Sequence, residues 1–521
     1  MTTLICAGGS GTRILEAVLH LCAAGLGPDE LRVLVIDPDA ANGNGDRAKK
    51  LLAQYIECQK VFGGEMGPVP YFRTKLDLLE TEDGQAGLKV WNPVGTNRKF
   101  EAILNFEGLS KENQDLIHLF FTDAELKMDM DIGFRGHPSI GAATMSLLSL
   151  YKDQKPWKQL ADKIRGELTE SKDGSRVVLA GSVFGGTGAS AIHPLARFLR
   201  AIPEANHDRL KIAAVALVPY FHFRPSSAAE GVAKDELAAK SEWFALAARS
   251  AAQFYQYLRA NVDEGSGWEF DSMYWLGDDS SMEVNYHIGG QHQENPAHLV
   301  DLLGGVACLD FFAGAPSLKC CYYAGPRQCN DEGLSAVNVV EWADLPLAYI
   351  DRGTFCTRLL EFYAAGAMHL GFLDPLLGDQ RADMEPFCVP WYLDRFAANR
   401  DYLSAPDSQG ALGQIGKFFE GFHFPWWRQV LSLDHDRVRL FNRMALAEPG
   451  PNGVRVDMYR LANLIYPERG ERTMEDVDQF FSFMVDMTRD AVGKTAPATY
   501  LSLLGQASGR FVARKYKGQG A

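Results

Sequence analysis

The sequence predicts an α/β fold built on a parallel sheet, followed by a largely α-helical C-terminal region. Three observations carry this expectation. Two segments, starting at Thr3 and at Arg176, each read as a buried strand, a glycine turn and a helix that opens on small residues. Around them, short β-branched runs alternate with helical periodicity, which is the pattern of βαβ units. Beyond residue 345 strand signals become scarce while helical spacing continues.

Taken in order, residues 3–7 form an apolar strand, Gly8-Gly9-Ser10-Gly11-Thr12-Arg13 a turn, and residues 14–22 a helix. Residues 31–36 are a second strand, ending in Asp37-Pro38-Asp39. Acids at the carboxyl end of a second parallel strand sit where doubly wound folds meet a ribose or a metal-bound phosphate. Residues 46–130 read as an inserted helix (47–55) and hairpin (strand-like at 87–91 and 102–106) flanking the pocket, as a partner or gating surface or as mere elaboration. A third turn, from Gly133 through Gly136 to Gly141, precedes the small-residue helix 142–145, with Pro138 suited to its first turn. Residues 176–183 are a buried strand, and Gly185-Gly186-Thr187-Gly188 follows. Such a loop lets backbone N–H groups close on a phosphate, and the next helix aims its positive end at the same anion. A plain tight turn is the other reading of the tetrapeptide alone.

Residues 229–260 read as a long helix whose Phe244, Tyr255 and Leu258 share a core-facing side. Residues 270–277 are a strand entering a loop, and a helix starts near Asn295, with Asn295 as its cap and Pro296 in its first turn. The remainder reads as helices at 355–370, 390–397, 412–420, 437–447, 457–465, 474–487 and 496–507, with turn-rich breaks at 404–410 and 448–453. The aromatic cluster 422–427 suits an interdomain core.

This order of loops resembles the FtsZ/tubulin superfamily of GTPases: an N-terminal glycine turn, an Asp-bearing strand end, a Gly-x-x-Gly-x-Pro-x-x-Gly turn and a Gly-Gly-Thr-Gly turn. The likeness covers roughly residues 1–345. Phe184, Ala189 and Ser190 depart from the family signature, 211–219 resembles its next parallel strand and 219–224 its ribose loop. The resemblance implies a tubulin-like nucleotide-binding domain over 1–345 and a divergent helical domain over 346–521. It implies GTP or GDP with Mg²⁺, slow hydrolysis and self-association or a partner protein. Gly8, Gly9, Ser10, Gly11, Thr12, Arg13, Gly136, Gly185, Gly186, Thr187 and Gly188 would hold the nucleotide. Asp37 and Asp39 would meet ribose or the metal's water shell, Arg224 lies in the ribose-like loop, and Asn295, His298 and Asp301 at the central helix would meet the base. Arg13 stands where the family has Asn, which leaves the choice of base open. Glu341 and Asp344 align with carboxylates that polarise the attacking water in a neighbouring subunit. An edge strand leading to a helix capped by Asp344 fits the same residues.

Two other functions fit parts of the pattern. One is a non-hydrolysing, nucleotide-bound scaffold that recruits a partner. The other is a sugar-nucleotide pyrophosphorylase, whose opening motif is close to Ala7–Arg13 but continues with a Pro-Lys pair absent before the next strand. The 521 residues suffice for two or three domains. A net charge of −14 argues against general nucleic-acid binding, which needs a basic face. The only basic cluster, 510–517, reads as a solvated tail. Nine cysteines without C-x-x-C spacing suggest reduced, buried thiols in a cytoplasmic protein, and no apolar run is long enough for a membrane span.

Overall fold

The computed structural model describes residues 1–39, 41–61, 70–79, 88, 90–95, 98–131, 133–148, 153–203, 206–224, 240–265, 267–278, 282–285, 287, 290–314, 321–324, 345–348, 350, 352–373, 391, 395–396, 403, 405–432, 440, 446, 448–450, 453–455, 475–488 and 495–516. The elements up to β10 are β1 (Thr2–Ala7), α1 (Gly8–Ala23), β2 (Glu30–Ile36), α2 (Gly43–Val61), β3 (Lys75–Leu78), β4 (Val90–Trp91), α3 (Phe100–Ile103), α4 (Lys111–His118), α5 (Asp123–Leu126), α6 (Pro138–Met145), α7 (Lys155–Glu170), β5 (Ser175–Ser182), α8 (Gly186–Arg200), β6 (Leu210–Leu217), β7 (Phe221–Phe223), α9 (Ser241–Ala260), β8 (Ser272–Leu276), β9 (Met282–Val284), α10 (Leu299–Phe312) and β10 (Cys321–Ala324).

Eight strands form one sheet in the order β10-β8-β6-β5-β1-β2-β3, with β4 beside β2. Every pairing in it is parallel. The chain therefore moves one way from β1 to β2 and the other way from β5 to β6. The reversal lies between β1 and β5, where doubly wound sheets open a crevice at the strands' carboxyl ends.

The central strands are apolar on both sides because helices cover both faces. Leu4, Val33, Val178 and Val215 point into the cluster that holds α1 and α10. Their neighbours Ile5, Leu34, Leu179 and Ala214 point into the opposite cluster, with α7 and α8. Full burial of each Leu, Ile or Val contributes roughly 1.5–3 kcal/mol. All of α10 is buried. It approaches α1 closely because Gly304 and Gly305 carry no side chain: a Cβ there would come within 2.9 Å of Ile14 and Ala17.

The region 46–130 differs from expectation. The helix is present as α2, but β3 and β4 extend the main sheet parallel to β2 instead of forming a hairpin. Trp91 anchors β4 by stacking on Trp157, ring centres 5.6 Å apart. Residues 102–106 are helical and turn-like, because Phe100 and Ile103 are both buried at helical spacing.

After β10 come α11 (Arg352–Met368), α12 (Pro406–Phe418), α13 (Phe424–Val430), the antiparallel pair β11 (Glu448–Gly450) and β12 (Gly453–Arg455), α14 (Glu475–Met487) and α15 (Ala496–Tyr516). The break expected at 404–410 is partly helix, since Pro406 occupies the first turn of α12. Residues 510–516 of the basic cluster continue α15, with Phe511 and Val512 buried and Arg510 exposed beside Asp486 at 3.8 Å, while Lys517 lies outside the described residues. The helices expected at 437–447 and 457–465 lie almost wholly outside the described residues, as does most of 390–397. Buried residues of α11 to α15 join the same hydrophobic cluster as α1 and α10. Phe419, Phe424, Trp426 and Trp427 are among them, so the aromatic segment packs inward. Cys6, Cys22, Cys58, Cys308 and Cys356 are buried and stand outside any disulfide. No described helix is long and apolar enough to cross a membrane.

Candidate nucleotide site

At the reversal point the starts of α1 and α8 lie side by side. A Cβ on Gly8 would come 3.1 Å from Cβ of Thr187. Neither helix has a side-chain cap on its first N–H groups, and neither has an acid in its first turn. Two positive helix ends, each equivalent to about half a charge, thus point at one place. They open into one cleft.

The glycines here have distinct causes. Gly8 holds φ +71°, a conformation that side chains resist. A Cβ on Gly11 would come 2.6 Å from the Ala180 carbonyl oxygen, and one on Gly188 2.5 Å from that of Ser182. These two let the helices start directly on the strands. On Gly186 a Cβ would come 2.7 Å from Cβ of Phe134. That contact seats the 133–136 loop on the start of α8. In the same loop Arg135 adopts φ 49° between Gly133 and Gly136, both also at positive φ.

Asp37 and Asp39 border the cleft from the end of β2. Asp37 Oδ1 accepts the Asp39 N–H (3.2 Å) and the Thr187 hydroxyl (3.3 Å). Asp39 accepts the N–H groups of Ala41 (3.2 Å) and Gly290 (2.7 Å). Burial, reinforced by the neighbouring Asp39, pushes the Asp37 carboxyl up to about 8; burial also raises Asp39. Beyond them a carboxamide lattice ties α2 to the 293–295 segment. Asn42 Nδ2 donates to Gln293 Oε1 at 3.0 Å, and Asn44 Oδ1 accepts the Asn295 N–H at 3.0 Å. Phe184, Phe221, Phe223 and Phe244 form an aromatic wall.

Of the residues expected from the sequence, Gly8, Gly9, Ser10, Arg13, Asp37, Asp39, Gly136, Gly185, Gly186, Thr187, Gly188 and Asn295 line this cleft. Gly11, Thr12, Arg224 and His298 do not. Thr12 turns its hydroxyl back to the Gly9 carbonyl (2.8 Å). Arg224 is exposed beside Glu283, at 3.5 Å. His298 caps α10, its Nδ1 accepting the Val300 N–H while Asp301 accepts the His298 N–H. It takes the capping place expected of Asn295, because α10 starts at Leu299. Glu341 and Asp344 lie outside the described residues. Sequence reasoning missed Asn42, Asn44, Gln293, Phe184 and Phe244 as cleft residues, while Phe221 and Phe223 fall in the segment read as a ribose-like loop. The Asn42-x-Asn44 pair just after Asp39 was the available signal.

No family model matches the sequence, and no curated protein matches it. Among solved structures the chain is similar to CetZ2 from Haloferax volcanii, solved as a GTPγS-bound protofilament. The identity is 12% and the TM-score 0.26, over 60% of this chain and 58% of that one. The fold assignment therefore stands on strand order and packing.

Proposed function

We propose that the cleft binds a guanine nucleotide with Mg²⁺ and that the protein is a slow, assembly-dependent GTPase of the tubulin/FtsZ kind. One observation carries the nucleotide reading: two uncapped helix N-termini from adjacent parallel strands open into one cleft at the sheet's reversal point. The N–H groups of the α1 and α8 first turns suit the phosphates. The ring portion suits the aromatic wall.

Asp37 and Asp39 would hold the cation, whose contribution is to neutralise phosphate charge. The donor set fits. Two buried acids lie together with Asp37 pushed toward protonation, a state that a cation relieves. Among the described residues no group of three His, Cys, Asp or Glu gathers into a closed cage. An ion keeping waters and phosphate oxygens matches that arrangement.

A second reading, a nucleotide-bound scaffold without turnover, draws support from the same acids. Among the described residues the cleft is lined by Asp37 and Asp39 alone as carboxylates, and each already accepts backbone hydrogen bonds. Chromatography of nucleotide released from the purified, denatured protein, with calorimetric titration of GTP and Mg²⁺, tests the binding. Bound GDP or GTP supports it. No released nucleotide and no heat of binding would remove it. Turnover that rises with protein concentration separates the GTPase from the scaffold.

A further inference from the structure

We propose that Arg13 is the specificity-determining residue of the cleft, reading the acceptor edge of a keto-bearing purine and so favouring guanine over adenine nucleotides. This rests on the nucleotide reading above. Arg13 lines the cleft yet is only 2% exposed. Its Nε and Nη2 are buried without a hydrogen-bond partner. Its ion-pair partner, Asp301 Oδ1, stands 3.6 Å from Nε, beyond hydrogen-bonding reach. Asp301 instead accepts the His298 N–H at 2.8 Å and the Tyr220 hydroxyl at 3.4 Å. A buried guanidinium with unmet donors destabilises the empty protein. A ligand that supplies acceptors there removes the penalty.

The place of Arg13 favours a ring over a phosphate. It lies five residues after Gly8, about 7.5 Å along α1 from the uncapped N–H groups. Its guanidinium sits over the rings of Tyr220 (5.3 Å) and Phe221 (5.9 Å). Phe221 continues into the aromatic wall with Phe184 and Phe244. A planar base against that wall presents its edge to the guanidinium. The fork of donors matches the adjacent O6 and N7 acceptors of guanine. Adenine would set its exocyclic amine, a donor, against a donor.

The test uses the full chain carrying Arg13→Met with Asp301→Asn. The pair is changed together because removing one charge strands the other. Calorimetry with GTP, ATP and inorganic tripolyphosphate, each with Mg²⁺, is combined with urea unfolding of the ligand-free protein. The wild type is expected to prefer GTP over ATP by about tenfold or more. The double variant should lose GTP affinity by about 10- to 100-fold. It should bind GTP and ATP within about twofold of each other, hold tripolyphosphate unchanged, and be at least as stable when empty. A retained GTP preference overturns the inference. So does an equal loss of tripolyphosphate binding, which would put Arg13 on phosphate, or lower stability of the empty variant, which would make Arg13 structural. Should the double variant not fold, Arg13→Lys keeps the charge without the fork; it must lose the GTP preference and keep tripolyphosphate, or the inference fails. A wild type that binds none of the nucleotides refutes the nucleotide reading itself, and the assignment of Arg13 falls with it.

Discussion

Mild acid should weaken the joint between α1 and the C-terminal helices, through the buried pair His20 and His423. Their Nδ1 atoms lie 3.2 Å apart. Phe362, Phe418 and Trp427 ring His423, and Trp426 lies against His20. Burial pushes His423 down to about 3 and His20 well below its ordinary value. Unfolded histidine titrates near 6.5. Between about pH 6.5 and 3 the unfolded chain therefore binds a proton that the folded chain refuses. Stability from each histidine is full above 6.5 and is lost as pH falls, at about 1.4 kcal/mol per pH unit. For His423 alone this reaches about 3 kcal/mol by pH 4.5. Replacing His423 by Phe keeps a ring in an aromatic pocket and removes the titrating group. Urea unfolding followed by tryptophan fluorescence, at intervals from pH 7 to 4.5, gives both curves. The gap between wild type and variant should change by about 1.4 kcal/mol per pH unit in favour of the variant. Parallel curves across that range would refute the buried, neutral assignment.

Asp37→Asn should stabilise the ligand-free protein by roughly 1–3 kcal/mol at pH 8. The native carboxyl holds its proton up to about 8 while the unfolded one releases it near 3.8, so wild-type stability declines as pH rises through that window. The same variant should bind GTP with Mg²⁺ more weakly, and a less stable D37N would contradict the assignment. Gly188→Ala forces a Cβ to 2.5 Å from the Ser182 carbonyl oxygen and should lower stability by about 2 kcal/mol or more. Gly9→Ala meets only side-chain ends of Asn44 and Asn42, at 3.0–3.4 Å, so it should fold and lose nucleotide affinity; thermal melts with calorimetry separate the two. Asp344→Ala should slow any hydrolysis by orders of magnitude with affinity intact if Asp344 is the trans-acting acid. If it is a helix cap, the change should lower stability by about 1 kcal/mol and leave turnover per folded molecule alone.

The parts legible in the sequence were those with local signatures. β1, β2, β5 and β8 are apolar runs bounded by glycine or acid. The two glycine segments, read as turns, are helical from Gly8 and from Gly186, so α1 starts well before the expected residue 14. Residues β3 and β4 contribute are too few for periodicity to register, and Trp91 shows its role only through Trp157, distant in the chain. The glycines were legible as essential but not for their cause. Gly11 answers to the distant Ala180 carbonyl of β5, and Gly188 to the backbone of Ser182 just before it, more than to a ligand. Likewise the burial of Arg13 beside Asp301, and the assembly of Asn42, Asn44, Gln293 and Asn295, join segments far apart in the chain, 251 positions for the Asn42–Gln293 and Asn44–Asn295 bonds.

The shared cluster under α1 and α10 bears on how the protein can be handled. A chain cut at 345 would keep the glycine turns and the sheet but lose α11 to α15. Their departure would bare His20, Tyr71 and Phe72, whose rings now pack against Phe362, Phe418 and Trp426. Contiguous apolar faces of that kind draw copies together without specificity. Light scattering from such a fragment would record clumping of a wounded core, so the proposed self-assembly is tested on the 521-residue chain.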